Sequence, residues 1–375
     1  MGVWEDWTAS GVVALTGHPD GPALVPPGSA ATVASALGRP FGVDGAALLG
    51  ERAALSGRGR AGRRAVGGAS RLLRTADGWA AVSCARPDDP VLLGAVVEQV
   101  LPDDDPWPVV TAALAAMPGR ELAERAELIG VPAAPLLTPG GAAAPTVSGA
   151  VDLRGRLVVS FAALWAGPLC AHLLGRAGAH VVTVETPQRP DGARRGDPRF
   201  YALLHHGEQQ VVLDPDRDRD RAALHALVAA ADVVIEASRP RALRGFGLSA
   251  EQEVARGATW VSITAAGRSS DRVGFGDDVA AAAGLVAWDA DGAPVFVGDA
   301  IADPLTGLTA AALAASEPGV LHDVSMTAVV AGTLDGTVGG PSAEAPRPRH
   351  RPVPDPAPGA GRGTAAVLAR LGIRP

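Results

Sequence analysis

One aspartate stands at a position where a carboxylate could act as a nucleophile. Asp303 opens the segment DPLTGLTAAALAA, in which a proline and then an apolar, alanine-rich run predict a helix with Asp303 as its N-cap. The positive end of that helix would favour the ionised carboxylate by about 0.3–1 kcal/mol. A capping aspartate needs no catalytic role, so both interpretations stay open. Asp299, four residues earlier, is interpreted as a turn acid and kept as the reserve candidate.

The other charged and sulfur-containing residues exclude several kinds of chemistry. All 33 basic residues are arginine, so any phosphate must be held by guanidinium groups or backbone amides, and a lysine-based mechanism is excluded. The net charge of −7 gives no basic face for nucleic acid. Cys84 and Cys170 lie in no CxxC or Cys/His spacing, which indicates neither a disulfide framework nor a zinc site and fits a reducing cytoplasm.

The elements that must position Asp303 follow from the pattern after Val151. Apolar strands such as RLVVSFA, AHVVTVE, DVVIEAS and TWVSITA alternate with helices, which predicts an α/β fold with a Rossmann-like, doubly wound parallel sheet. The apolar run Leu157–Gly175 is long enough to span a membrane, but Gly167-Pro168 and His172 interrupt it. It is interpreted as a buried strand followed by a helix, and no targeting segment or membrane association is expected.

An internal repeat sets the N-terminal segment apart. Residues 6–37 parallel residues 277–313: both pass from an acid through small residues to an Asp-Gly turn, a proline and an alanine-rich helix. The first copy has Ser29-Ala30-Ala31-Thr32 roughly where the second has Ala302-Asp303. If the two are homologous, the first has lost its carboxylate.

Composition and pattern predict the following division. Residues 1–37 form a degenerate segment resembling part of the large domain, 38–137 a smaller α+β domain, 138–150 a Gly/Ala/Pro-rich linker, 151–332 the large domain, and 333–375 a Pro/Gly-rich tail with a closing helix.

Several motifs in order resemble the family III CoA-transferases, also called CaiB/BaiF. They are the Gly-Pro helix start in FAALWAGPLCAHLLG, the run Gly178–Pro187 (GAHVVTVETP), Val212-Leu213-Asp214, the series AADVVIEASRPRALRGFGL, and Asp303-Pro304-Leu305-Thr306-Gly307. RLLRTADGWAAVSCARPDD resembles the family's small domain and GRGTAAVLARLGI its closing helix. In the family the small domain follows the large one, so the domain order here is rearranged.

The resemblance implies a function and a set of site residues. Asp303 would attack an acyl-CoA thioester to give a mixed anhydride, which the released CoA or an acceptor carboxylic acid resolves. CoA is then a substrate, and no resident cofactor is expected. The residues assigned to CoA binding are those at matching loop positions: Arg194, Arg195, Arg239, Arg241 and Glu185. A cytoplasmic homodimer is also implied.

Other functions stay open. α-Methylacyl-CoA racemases share the fold, but Asp277 stands where their histidine would be. A nicotinamide dehydrogenase would need GxGxxG, and only Gly167 is present. The family's basic Asn-Arg-Gly-Lys-Arg-Ser run is replaced by His205-His206-Gly207-Glu208-Gln209-Gln210, which favours an inactive CoA-binding member as a further alternative. The two histidines are interpreted as a surface loop.

Overall fold

The structure is a computed structural model that describes residues 2–136, 151–237, 241–357 and 359–373. The predicted linker 138–150 and Arg239 lie outside the described residues. No helix in these ranges is long and apolar enough to cross a membrane.

Short helices and one strand make up the N-terminal part. They are α1 (Val3–Ser10), β1 (Ala23–Val25), α2 (Ala30–Gly38), α3 (Gly45–Leu48) and α4 (Glu51–Ser56). Trp7, Val12 and Val13 are fully buried, and they belong to the same apolar cluster as Leu169 and Leu305 of the central layer. The N-terminal segment is therefore part of the main core.

A second group of elements surrounds a small antiparallel sheet. It comprises β2 (Ser70–Arg74), β3 (Trp79–Ser83), α5 (Asp89–Val97), α6 (Trp107–Ala115), α7 (Gly119–Ile129) and β4 (Ala133–Pro135). The strand order is β2-β3-β4, and the turn at 76–78 joins the first two strands as the sequence predicts. These elements have an apolar cluster of their own, centred on Leu93, Leu114 and Leu122.

The remaining elements alternate between strand and helix. They are β5 (Leu157–Ser160), α8 (Ala166–Arg176), β6 (His180–Glu185), α9 (Pro198–His205), β7 (Gln209–Val212), α10 (Asp218–Ala229), β8 (Val233–Glu236), α11 (Arg241–Gly245), α12 (Ala250–Ala255), β9 (Thr259–Thr264), α13 (Gly276–Ala282), β10 (Val286–Trp288), β11 (Pro294–Phe296), α14 (Ala302–Ser316), β12 (Leu321–Ser325), α15 (Met326–Ala331), β13 (Gly340–Ser342) and α16 (Thr364–Arg370).

The large sheet confirms the predicted mixed α/β fold. Within the described ranges it has six strands in the order β7-β6-β5-β8-β9-β12, and every neighbouring pair is parallel. This is the Rossmann order 3-2-1-4-5-6 when its strands are counted along the chain. Val158 contributes to the core on one face of the sheet, while Leu157 and Val159 contribute to a second cluster on the other. Burial of both faces explains why its strands are nearly continuous apolar runs.

The two ends of the chain meet in a small pairing. β1 and β13 form an antiparallel two-stranded sheet with Ala23 opposite Ser342. The proline-rich stretch after β13 lies against the N-terminal helices, where Arg351 forms a bidentate contact with Glu51 of α4 at 2.8 and 2.7 Å. The tail therefore holds the N-terminal part against the large domain.

Candidate active site

Asp303 lies in the first turn of α14. The helix begins at Ala302, so Asp303 is not the N-cap that the sequence predicts, although it remains within the positive end of the helix. The chain turns sharply just before it, because Ala300 adopts a left-handed conformation with φ +48°. The backbone N–H of Asp303 donates to the Ala300 carbonyl oxygen at 2.9 Å. This turn directs the carboxylate towards the start of two other helices.

Backbone donors from those two helices hold the Asp303 carboxylate. The N–H groups of Ala166, the first residue of α8, and of Gly276, the first residue of α13, donate to it. Gly276 comes so close that a Cβ there would lie 2.2 Å from Asp303 Oδ2 and 2.4 Å from the Ala300 carbonyl oxygen. Three helix starts therefore meet at one carboxylate, and one of them requires glycine.

The ionisation of Asp303 reflects opposing effects. Burial raises the pKa of Asp303 to about 7, and the nearby Asp278 adds to the increase, while Arg52 and the two backbone donors lower it. Near neutral pH the carboxylate is thus divided between its neutral and ionised forms. A pKa shifted towards neutrality is typical of groups at functional sites.

Arg52 of α4 is the cation of the cluster. It binds Asp299 through two contacts, Nε to Oδ2 at 2.9 Å and Nη2 to Oδ1 at 2.5 Å. Its guanidinium also lies over the Trp165 ring, 4.8 Å from the centroid. Burial lowers the pKa of Arg52, but Asp299, Asp277 and Asp303 together raise it well above its usual range. Asp299 is thus the partner of Arg52.

Two further acids complete the cluster. Asp277 accepts a hydrogen bond from the backbone N–H of Ala300 at 2.7 Å. Burial, and to a smaller extent the nearby Asp299, raises the pKa of Asp277 to about 7. Asp278 accepts from Ser83 Oγ at 2.6 Å, and burial raises its pKa to about 6. Asp277, Asp299 and Asp303 surround the guanidinium of Arg52. Asp278 lies near Arg272, whose Nε and Nη2 are buried and have no hydrogen-bond partner among the described residues. With four aspartates and two guanidinium groups, the cluster is acidic.

Sequence reasoning missed Arg52, and no local signal could have revealed it. Its partner Asp299 lies 247 residues away along the chain. Arg52 stands in an ordinary helix, and the sequence interpretation assigns it to the smaller α+β domain at 38–137 and not to the site. The fold alone brings the two residues together.

The residues assigned to CoA binding do not converge on Asp303. Arg194 donates to Glu185 from Nε at 3.0 Å and from Nη2 at 2.5 Å, and its Nη2 also reaches Gln210 Oε1 at 2.7 Å. Arg194 and Glu185 therefore satisfy each other, and their assignment to CoA stays a prediction. Arg195 is exposed. The backbone of Arg241 begins α11, but its side chain lies outside the described structure.

Within the replaced run at 205–210, His205, Glu208 and Gln210 are buried while His206 and Gly207 are exposed, so the interpretation as a surface loop is wrong for His205. That ring is 1% exposed; its Nδ1 lies 2.8 Å from Glu208 Oε2, and its Nε2 lies 3.4 Å from Asp191 Oδ2. It stacks on Tyr201 with the ring centroids 4.2 Å apart. Burial lowers the pKa of His205, but the contacts with Asp191 and Glu208 outweigh burial and raise it to about 9. His205, Glu208 and Asp191 therefore form a buried network of charged side chains.

A cavity of about 490 Å³ lies outside the carboxyl ends of β5 to β8. It is lined by Val184 of β6 and by residues that follow the four strands: Phe161, Thr186, Gln188, Arg189, Pro215, Asp216, Ala242, Leu243 and Phe246. Ligands of open α/β sheets bind at this edge, where the strand order reverses. The cavity and Asp303 are linked by the segment from Phe161 to Ala166, which connects β5 to α8.

Known proteins with sequences similar to this chain include CoA-transferases. The chain is 30% identical over 176 residues to succinate–glutarate CoA-transferase of Agrobacterium fabrum, covering 42% of this chain and 44% of that protein. It is 30% identical over 168 residues to succinyl-CoA–D-citramalate CoA-transferase of Chloroflexus aurantiacus, covering 41% and 42%. A solved CaiB/BaiF family protein from Brucella suis is 27% identical with a TM-score of 0.45, covering 50% of this chain and 56% of that one.

The chain thus spans less than half the length of these two curated relatives. The sequence model of CoA-transferase family III matches residues 153–354, more than half of the chain, and this range includes Asp303 and the parallel sheet. On this match, the chain belongs to CoA-transferase family III.

Proposed function

We propose that the protein transfers CoA between an acyl-CoA thioester and a carboxylic acid, with Asp303 as the residue that carries the acyl group. The observation that carries the proposal is the setting of Asp303, a carboxylate held by the backbone N–H groups of Ala166 and Gly276, with a pKa of about 7. Such a group is ionised often enough to attack and is fixed in one orientation. The relatives named above are CoA-transferases, which supports the same reaction class.

The reaction would start with a new bond at the Asp303 carboxylate. One carboxylate oxygen attacks the thioester carbonyl carbon, a C–O bond forms, the C–S bond breaks, and CoA leaves as a thiolate. The product at Asp303 is a mixed anhydride. The thiolate then attacks the Asp303 carbonyl carbon of this anhydride, which releases the donor acid and leaves an aspartyl-CoA thioester.

The second half of the reaction repeats these steps with the acceptor. The acceptor carboxylate attacks the aspartyl thioester, CoA leaves again, and a second mixed anhydride forms. Attack of the thiolate on the acceptor's acyl carbon gives the new acyl-CoA and frees the Asp303 carboxylate. Atoms and charge balance without any further reactant. The donors at Ala166 and Gly276 would stabilise the carboxylate each time it is released.

CoA would occupy the cavity at the carboxyl ends of β5 to β8. Its walls combine apolar side chains such as Phe161, Leu243 and Phe246 with Gln188 and Arg189, which could contact an adenine ring and a phosphate respectively. The segment 161–166 would then lie along the path from the nucleotide to Asp303. Arg189 and Gln188 join Arg195 as candidate CoA ligands on this proposal.

A racemase-like isomerase is the second candidate, because Asp277 also has a pKa of about 7 and could exchange protons. A racemase exchanges the α-proton of its acyl-CoA with solvent, whereas CoA transfer leaves it in place. Incubation of a 2-methylacyl-CoA in D₂O, followed by mass spectrometry of the acyl group, separates the two functions.

Mass spectrometry of the protein after incubation with a mixture of acyl-CoAs tests the proposed function. We expect an adduct at Asp303 that hydroxylamine removes, and we expect Asp303→Asn to abolish both the adduct and transfer. Asp218→Asn is the matched control, since Asp218 also lies in a first helical turn but its side chain is 94% exposed. Transfer that persists in Asp303→Asn would contradict the assignment of Asp303.

A further inference from the structure

A stretch between α4 and the end of β2 concentrates positive charge. Residues 57–75 contain six arginines and no acidic residue: Arg58, Arg60, Arg63, Arg64, Arg71 and Arg74. We refer to these residues as the arginine segment. Throughout the part of the chain that the structure describes, none of the six forms an ion pair with an aspartate or glutamate, although the chain as a whole carries a net charge of −7.

The arginine segment adjoins the acidic cluster through Gly67. A Cβ built on Gly67 would lie 3.2 Å from Arg52 Nη2, 3.7 Å from Asp299 Oδ1 and 3.8 Å from Asp277 Oδ2. Arg58 donates from Nη1 to the Gly67 carbonyl oxygen at 3.0 Å. On the next residue, a Cβ built on Gly68 would lie 3.3 Å from Arg64 Nη2. Arg58 thus contacts Gly67, which lies beside the Asp299–Arg52 pair, and Arg64 lies close to the next residue, Gly68.

The segment keeps unused donors and uncompensated charge. Arg58, Arg63 and Arg64 are exposed. Burial and the repulsion of the neighbouring Arg64 lower the pKa of the partly buried Arg71, and the nearby Asp105 offsets part of this effect. The hydrogen bonds of Arg71 go to the carbonyl oxygens of Gly68 and Ser70, which shape the loop without neutralising it. An anion bound here would relieve this repulsion.

The charges around Asp303 also favour a positively charged group near the site. An anionic ligand that approaches Asp303 meets four aspartates and the two guanidinium groups of Arg52 and Arg272, so acidic groups outnumber basic ones. The cavity at the sheet edge contributes Arg189 but also the acidic Asp216, so that cavity alone offers little net positive charge. A cluster of exposed guanidinium groups beside the acids would offset the repulsion and guide the ligand inward.

We propose that the arginine segment, through Arg58 and Arg64, binds an anionic group of the ligand that reaches Asp303. This inference rests on the proposed function. Two sources of the anion share this chemistry, a second carboxylate on the acyl group and the phosphates of CoA, and arginine binds both as a planar, bidentate donor.

Calorimetry with four probes distinguishes the sources. CoA, dephospho-CoA, butyryl-CoA and succinyl-CoA are titrated into the full chain carrying Asp303→Asn, so that no acyl transfer consumes the ligand. The test variant adds Arg58→Gln and Arg64→Gln. The control adds Arg120→Gln and Arg370→Gln, which remove the same charge from exposed positions on α7 and α16. Melting curves of both variants establish that they fold.

We expect the test variant to weaken binding by about tenfold and the control to leave it within about twofold. A loss confined to succinyl-CoA identifies the second carboxylate as the anion. A decrease in affinity for all four probes, with the smallest decrease for dephospho-CoA, identifies the phosphates as the anion. Equal affinities in the test and control variants would overturn the inference while leaving the proposed function intact. If no probe binds before the arginines are changed, the proposed function fails, and this inference fails with it.

Discussion

The raised pKa of Asp303 predicts how transfer depends on pH. Only the ionised carboxylate attacks a thioester, and its pKa is about 7. We expect kcat/KM to increase as the pH rises through about 7 and to level off above it. A rate profile measured with a neutral acyl-CoA between about pH 5 and pH 9 tests this. A flat profile across that range would show that Asp303 titrates near its ordinary value or does not take part.

The close packing around Gly276 predicts the effect of adding a side chain at this position. A Cβ in Gly276→Ala would lie 2.2 Å from Asp303 Oδ2 and 2.4 Å from a backbone oxygen, so the carboxylate or the turn before α14 must move. Overpacking of this kind destabilises a protein by about 1–3 kcal/mol, and we expect at least a tenfold loss of kcat as the nucleophile is displaced.

Gly245→Ala is the matched control for Gly276→Ala. Gly245 lies in α11, has no positive φ, and a Cβ there would meet no atom within 4 Å. Kinetics and thermal melting of the two variants side by side make the comparison. Wild-type activity in Gly276→Ala would mean that the close approach of residue 276 to Asp303 is not needed.

At the residue scale the sequence draws attention to Asp303 but not to its surroundings. The segment DPLTG stands out because its short-range pattern predicts a helix start, and the structure places Asp303 within one turn of that start. Arg52, Ser83 and Gly67 reach the site from distant parts of the chain, and nothing in their local sequence marks them. Contacts that depend on tertiary packing leave no local pattern to interpret.

At the scale of elements, the network around His205 predicts a loss of stability in alkaline solution. The pKa of His205 is raised from 6.5 to about 9 in the folded protein. Its stabilising contribution is therefore complete below about pH 6.5 and is lost as the pH rises through about 9. Urea unfolding of the wild type at several pH values should show this decline. In His205→Gln the decline should be shallower, and equal slopes for the two proteins would contradict the role of His205.

The family's basic run is replaced here by residues 205–210, and the same network explains how the structure is maintained without it. His205, Glu208 and Gln210 are buried and contact Asp191, Thr183 and Tyr201, so α9 and β7 are joined to the loop after β6. The side chain of Asp191 also accepts from the backbone N–H of Leu164, in the segment that leads to α8. These residues thus stabilise the approach to Asp303, a role that the sequence alone did not reveal.

The contact between α4 and the turn before α14 predicts the effect of removing Arg52. Asp299 is 2% exposed, so Arg52→Gln leaves a buried carboxylate without its partner, and we expect a loss of roughly 3 kcal/mol in the free energy of unfolding. Arg154→Gln, which breaks an exposed pair, should change it by less than about 0.5 kcal/mol.

A double variant completes this test of Arg52. Arg52→Gln combined with Asp299→Asn removes both charges and should recover part of the lost stability, because no buried charge is left unpaired. Denaturant titration of the three proteins gives the coupling energy directly. Additive losses would show that the pair does not act as a unit.

For the whole molecule, the prediction of the large sheet succeeds because the sequence pattern of its strands is strong. Runs such as HVVTVE and TWVSIT are rich in β-branched and other apolar residues and are buried over most of their length, as expected for strands covered on both faces. The short helices α3, α4 and α6 are not delimited by the sequence interpretation, which gives only a smaller α+β domain for residues 38–137. Short helices whose stability depends on neighbouring packing carry too little pattern to be delimited.

The proposed division of the chain and the homodimer stay predictions. Light scattering of the purified protein measures the oligomeric state directly. The linker at 138–150, on which the domain boundary depends, lies outside the described residues.

The pairing of the chain's two ends has a consequence for the order in which the protein can fold. Arg52 is joined to Asp299 across 247 residues, Glu51 to Arg351 across 300, and β1 finds its partner β13 only near the C-terminus. During synthesis, α1 to α4 therefore emerge long before the residues that cover them. Contacts of such large sequence separation slow folding and leave apolar surface exposed in the meantime. In a nascent chain of this protein, α4 must therefore remain without its partners until 247 to 300 further residues have been synthesised.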